Sequence, residues 1–210
     1  MAFTQPLKDM GITPQFAIGH SVGEVAALAC AGVVTPALGM QITAERARCM
    51  EAAAQRTSGS MLAVLAGHDQ VAKALENAPK EIAVANVNSP EQTVIAGPAD
   101  KLAGAQKILE GAGLRCIALN VASAFHSPIV ATACDPFAAF LANVPFQKPL
   151  LPVFSSTEAR DYATAEPKAL LARQLARPVD FVACVRKAHA AGARVFCEVG
   201  PGQVLSRLAE

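Results

Sequence analysis

Gly19-His20-Ser21-Val22-Gly23 has the Gly-x-Ser-x-Gly form. The pattern serves a serine nucleophile when a strand precedes it and a helix follows, because the sharp turn projects the hydroxyl outward. Gln15 to Gly19 reads as a short apolar strand, and a helical pattern runs from about Ser21 to Ala31. An oxyanion formed there could accept from the Val22 N–H. The competing reading is a glycine-rich turn whose serine merely caps the helix. Serine needs a base near neutral pH. His20 is adjacent to Ser21, so its side chain should diverge; His68 and His189 read as surface residues. His126 lies in Ser123-Ala-Phe-His-Ser127, a polar loop between an apolar strand and Pro128, where catalytic groups tend to sit.

A second chemical signal is a misplaced charge. On the helix from Pro36 to about Gln55, Gln41, Glu45, Arg48 and Glu51 form a solvated face, with Leu38, Ile42, Cys49 and Met50 opposite. Arg46 falls between Ile42 and Met50, on the apolar side. A buried arginine requires a partner. It is either a structural ion pair with a snorkelling stem or a bidentate clamp for a substrate carboxylate.

The elements that must position these residues alternate between helix and strand, which predicts an α/β chain. A helix near Phe3 to Met10 precedes the first motif, and Thr57 to Ser60 reads as a linker. Then come a strand (Met61–Ala66), a helix (Asp69–Ala78), two strands (Ile82–Val87, Gln92–Ala96) joined by an Asn-Ser-Pro-Glu turn, a helix (Asp100–Gly111) and a strand (Leu114–Val121). That βαββαβ order is the ferredoxin-like split unit. It occupies residues 58–123 as an insertion into a main domain formed by 1–57 and 124–210. The main domain resumes with a helix after Pro128, a strand near Leu151–Ser155, helices near Glu166–Leu175 and Asp180–Ala190, and a buried strand Arg194–Val199 ended by Gly200-Pro-Gly202. With about three strands it looks incomplete at its N-terminus.

Composition narrows the function classes. The 210 residues carry 18 Lys and Arg against 17 Asp and Glu, and 5% aromatics. That balance gives no electrostatic case for nucleic acid or an anionic membrane, and no stacking surface. The longest apolar stretch, Val25 to Val34, is too short to span a bilayer. No signal peptide pattern opens the chain. The cysteines form no CxxC pair and no metal-ligand spacing, so they read as free thiols in a reducing compartment and no metal is expected. The expected location is cytoplasmic.

Taken together, Gly19-His-Ser-Val-Gly-Glu24, Arg46, Asn86-Val-Asn-Ser-Pro90 with Val94-Ile-Ala-Gly97, Ala124-Phe-His-Ser127, Arg177-Pro-Val179 and Glu198-Val-Gly-Pro-Gly202 resemble the malonyl-CoA:acyl-carrier-protein transacylases and the acyltransferase domains of polyketide and fatty acid synthases. The pieces occur in family order across nearly the whole chain. The resemblance implies an α/β-hydrolase-like main domain with the inserted ferredoxin-like subdomain. It implies ping-pong transfer: Ser21 attacks malonyl-CoA with His126 as base, and the phosphopantetheine thiol of an acyl carrier protein then takes the acyl group. Arg46 would hold the malonyl carboxylate, and the backbone carbonyl at Gln174 would orient His126. Phe125 and Val22 would shape the acyl pocket, Phe125 filling the space an α-methyl needs. No cofactor is implied beyond the substrate malonyl-CoA and the partner's phosphopantetheine. The partners are the carrier protein and, within a larger synthase, neighbouring domains.

The family's Gly-Gln-Gly stretch, which supplies an oxyanion donor, has no counterpart here. The expectation is a truncated chain of weak activity, with an exposed sheet edge that lowers solubility, since one lost donor costs roughly 100–1,000-fold in rate. Two alternatives stand beside this reading: an esterase or thioesterase using the same Ser-His pair, and a catalytically dead scaffold domain.

Overall fold

A computed structural model describes residues 4–56, 58–121, 123–164 and 166–210. Phe3 and Thr57, at the edges of two of the elements expected above, lie outside them. The chain is mixed α/β. After a short helix α1 (Thr4–Asp9), strand β1 (Ala17–Ile18) leads into helix α2 (Gly23–Cys30). α2 ends because Gly32 takes a φ of +77°, a left-handed conformation that costs glycine nothing. Val33 N–H then reaches Leu28 O and Gly32 N–H reaches Ala29 O, closing the helix in a Schellman motif. Helix α3 (Pro36–Ala54) begins with Thr35 accepting from Leu38 N–H at 3.2 Å and proline in the first turn, where its missing N–H is harmless.

The βαββαβ segment forms strand β2 (Gly59–Val64), helix α4 (His68–Ala74), strands β3 (Ala83–Ser89) and β4 (Gln92–Pro98), helix α5 (Ala99–Gly111) and strand β5 (Cys116–Leu119). These strands pair antiparallel in the order β5-β2-β4-β3. Side chains alternate across the sheet. Leu62, Val64 and Ile95 meet Val71 of α4 and Leu102, Ala105 and Leu109 of α5 on one face. Met61, Ala63, Val94 and Ala96 on the other face pack with Ala124, Phe125 and Ile129. The second face is thus the floor on which the His126 loop rests. Gly59 permits that contact, since a Cβ there would sit 2.6 Å from Ala124 N. The expected linker is shorter than anticipated, because Gly59 and Ser60 already pair with Pro98 and Gly97.

After a 3-10 turn at Pro128–Ala133 come helix α6 (Cys134–Ala142), strand β6 (Val153–Phe154), helix α7 (Pro167–Arg173), a second 3-10 turn (Gln174–Ala176), strand β7 (Val179–Asp180), helix α8 (Phe181–Ala190) and helix α9 (Val204–Ala209). β6 runs parallel to β1. A core of Val25, Leu28, Ile42, Met50, Phe137, Leu141, Leu170 and Leu171 binds α2, α3, α6 and α7. The two-residue β7 joins the other sheet, parallel to β3 through Asn86↔Val179 and Val87↔Asp180.

One expected element fails. Residues Arg194–Val199 form no strand, and Val195 is 87% exposed, with Phe196 and Val199 exposed beside it. An apolar run becomes a buried strand only where a neighbouring strand accepts its ladder, and the described residues offer none here. Glu198 instead caps α9, accepting from Val204 N–H at 3.1 Å and Ser206 N–H at 2.9 Å. These donors hold its carboxyl below the usual range.

Candidate active site

Gly19 sits where the backbone doubles back, and a Cβ on it would overlap the backbone of Gly23. Gly23, by contrast, has nothing within 4 Å of a Cβ position. The sequence suggests that both glycines serve the turn, but the steric need lies at Gly19 alone. Gly19→Ala is expected to cost at least about 1–3 kcal/mol through overpacking. Gly23→Ala is expected to be neutral or to gain up to about 1 kcal/mol, because Gly23 is helical. Thermal denaturation of the two variants separates these outcomes.

The turn holds Ser21 at φ +53°, and His126 sits at φ +58°. Non-glycine residues in this region store strain of order 1–3 kcal/mol and cluster at functional sites. The His126 loop is pinned by Ser127 Oγ donating to Ala124 O at 2.6 Å and by His126 N–H donating to Leu175 O at 3.2 Å. Ser21 Oγ and His126 Nε2 are then 2.6 Å apart. His126 Nδ1 lies 2.9 Å from Gln174 O. A carbonyl only accepts, so Nδ1 carries the proton and Nε2 is free to take one from the serine. Burial, and then the Arg46 charge, lower the imidazole pKa to about 4. Val22, at the N-cap of α2, is 45% exposed. Its N–H has no acceptor among the described residues.

Arg46 is 6% exposed, on the apolar side of α3 together with Ile42, Cys49 and Met50. Its Nη2 donates to Ser21 Oγ at 3.1 Å and to Gln174 Oε1 at 3.3 Å, while its buried Nε has no partner among the described residues. Burial lowers its pKa to about 10 against the raising influence of Glu24, so it stays cationic at neutral pH. Phe125 is half-buried and packs against both the main core and the sheet floor. Ser21, His126, Arg46 and Gln174 therefore meet at one point, with Val22 and Phe125 beside them. His68 and His189 are exposed. His20 turns away from the serine, its Nε2 lying 2.8 Å from Asn88 Oδ1 and its ring edge-on to Phe181.

Sequence reasoning missed the layer beneath. Glu24 is fully buried. It accepts from Ser156 N–H at 2.9 Å, Ser156 Oγ at 2.5 Å, Gln174 Nε2 at 2.6 Å and the Tyr162 hydroxyl. The available signal was a glutamate in the first turn of an otherwise apolar helix. Among the described residues no group of three or more His, Cys, Asp or Glu is arranged to hold a metal, and no helix is long and apolar enough to cross a membrane.

A serine paired with a neutral imidazole at the mouth of a helix, beside a buried cation, is the arrangement that acyl transfer through a serine ester requires. In agreement, the whole chain, residues 1–210, matches the family model described as Acyl transferase domain. The chain belongs to that family. It is 34% identical over 203 residues to the malonyl CoA-acyl carrier protein transacylase of Escherichia coli K12, covering 94% of this chain and 66% of the relative. It is 36% identical over 213 residues to the non-reducing polyketide synthase VdtA of Byssochlamys spectabilis, covering 98% of this chain and 9% of that protein. A crystal structure of the malonyl CoA-acyl carrier protein transacylase from Burkholderia pseudomallei matches with a TM-score of 0.90 at 35% identity, over 99% of this chain and 74% of that one. A malonyl-transacylase solved in complex with its type II polyketide synthase acyl-carrier protein matches with a TM-score of 0.93 at 28% identity, over 99% and 69%. The chain thus spans about two thirds of the stand-alone relative from E. coli and a small part of the synthase.

Proposed function

We propose that this chain moves a malonyl group from coenzyme A to the phosphopantetheine thiol of an acyl carrier protein through a malonyl ester on Ser21. The carrying observation is the cationic Arg46, whose Nη2 lies 3.1 Å from Ser21 Oγ and whose buried Nε lacks an acceptor among the described residues. A carboxylate on the acyl group would supply it. Ser21 Oγ attacks the thioester carbonyl as its proton passes to His126 Nε2. The tetrahedral oxyanion accepts from Val22 N–H. The C–S bond then breaks, and His126 returns the proton to the departing thiolate. In the second half the carrier thiol gives its proton to His126 and attacks the ester, and Ser21 Oγ recovers the proton as it leaves. Gln174 O keeps the imidazole in the working tautomer throughout. Phe125 narrows the space next to the acyl α-carbon, favouring malonyl over α-methyl-branched units.

This reading divides the chain into an α/β-hydrolase-like main domain, 1–57 and 124–210, and a ferredoxin-like subdomain, 58–123. The β5-β2-β4-β3 order supports the second assignment, and the parallel β1-β6 pair ahead of α2 supports the first.

Intact-mass measurement after incubation with malonyl-CoA tests the mechanism. A malonyl adduct is expected on the parent and absent from Ser21→Ala. Arg46→Ala is expected to lose its preference for malonyl-CoA over acetyl-CoA. A parent adduct that persists in Ser21→Ala would remove Ser21 from the mechanism. Release of free malonate as fast as transfer to carrier protein would make the chain a hydrolase.

A further inference from the structure

The Gln174 side chain makes contacts that a carbonyl acceptor for His126 does not require. Its Nε2 donates to Glu24 Oε2 at 2.6 Å and to Ser21 O at 3.0 Å. Its Oε1 accepts from Arg46 Nη2 at 3.3 Å. This amide has one possible orientation, because carboxylate and carbonyl oxygens only accept and the guanidinium only donates. The anchor is itself fixed, since Glu24 is fully buried, with Ser156 donating to the same Oε2 and the Tyr162 hydroxyl to Oε1. Among the described residues no carboxylate lies within ion-pair distance of Arg46. Gln174 Oε1 and Ser21 Oγ are therefore the groups that hold the guanidinium in register.

We propose that Gln174 is a positioning residue for acyl selection: its side-chain amide, anchored on Glu24, aims Arg46 at the substrate carboxylate while its backbone carbonyl separately aims His126. The proposal rests on reading Arg46 as the carboxylate clamp. The chemistry also explains why the position carries an amide. A carboxylate there would form an ion pair with Arg46 and occupy the charge the substrate must find. A neutral acceptor orients the guanidinium and leaves that charge available.

Gln174→Met keeps the volume and the backbone carbonyl and removes both ends of the amide. Single-turnover labelling of Ser21 by malonyl-CoA and by acetyl-CoA is measured on one preparation, so that the ratio of rates cancels the folded fraction. The malonyl-to-acetyl ratio is expected to fall about 10-fold or more, the loss of one hydrogen bond to a charged group. The midpoint of the acid limb of acetyl labelling, which His126 sets, should stay in place, and the readout is the ratio, since Gln174 also touches Ser21 O. Gln174→Glu decides the same question should the methionine variant fail to fold. Its charge beside Arg46 is expected to lower the ratio at least as far. An unchanged ratio in the Gln174 variants, with a collapsed ratio in Arg46→Ala, would overturn the proposal and leave the clamp standing. An unchanged ratio in Arg46→Ala as well would place the failure in the clamp reading. Equal losses for both substrates with a shifted acid limb would mean that Gln174 acts only through His126, and would also overturn it.

Discussion

Replacing His126 by alanine is expected to slow acylation of Ser21 by roughly 100- to 10,000-fold, the range for a positioned general base. The pH profile gives the sharper test. In the proposed mechanism the neutral imidazole is the working form, and burial, followed by the Arg46 charge, lowers its pKa to about 4. The labelling rate at subsaturating malonyl-CoA should be flat from pH 7 to about 5 and fall below that with a midpoint near 4. Arg46→Ala removes one of the lowering causes while burial remains, so its acid limb should move toward, but stay below, the ordinary histidine value of about 6.5. An acid limb near 6.5 in the parent would contradict the buried geometry. The same shift affects stability with a definite sign. Between about pH 6.5 and 4 the unfolded chain protonates this histidine and the folded one does not. His126 therefore subtracts stability as the pH falls through that window and has no such effect above it. Urea midpoints of the parent and His126→Ala across those pH values should show the parent losing more.

The second large effect is expected from Glu24→Ala. The substitution leaves the Ser156 N–H and hydroxyl, the Tyr162 hydroxyl and Gln174 Nε2 facing a void where an acceptor stood. It also removes the buried negative charge that supports Arg46. Removing one partner of a buried charged network costs about 3–5 kcal/mol. Urea denaturation should show a loss of that size, with Glu24→Gln losing less because one acceptor oxygen survives. A loss below about 1 kcal/mol would mean that solvent replaces the carboxylate.

The parts legible in the sequence were those carried by local pattern. The strand-turn-helix around Ser21 follows from consecutive residues, and the face of Arg46 follows from helical period on α3. The order of the βαββαβ segment follows from alternating apolar residues and the Asn88–Glu91 turn. The illegible parts depend on partners distant in the chain. Gln174 and Glu24 meet across 150 residues, and Tyr162 and Glu24 across 138, with no periodic signal linking them. β7 is two residues long, too short to show alternation. The Arg194–Val199 run has strand composition, but a strand is a property of a pair, and composition does not say whether a neighbour exists. The resemblance assigned Gln174 a backbone contact; its side-chain role emerges only once Arg46 and Glu24 are seen on either side of it.

The pairing of β7 with β3 bears on how portable the 58–123 segment is. A graft cut at those boundaries would carry away a sheet whose outermost strand has lost a neighbour, baring the backbone groups of Asn86 and Val87. Such an edge invites pairing with other chains. Chimeras that exchange this segment between relatives should therefore import residues 179–180 with it, or keep the recipient's own match. The recombination seam in this architecture follows hydrogen bonds, and it does not coincide with the ends of the 58–123 segment.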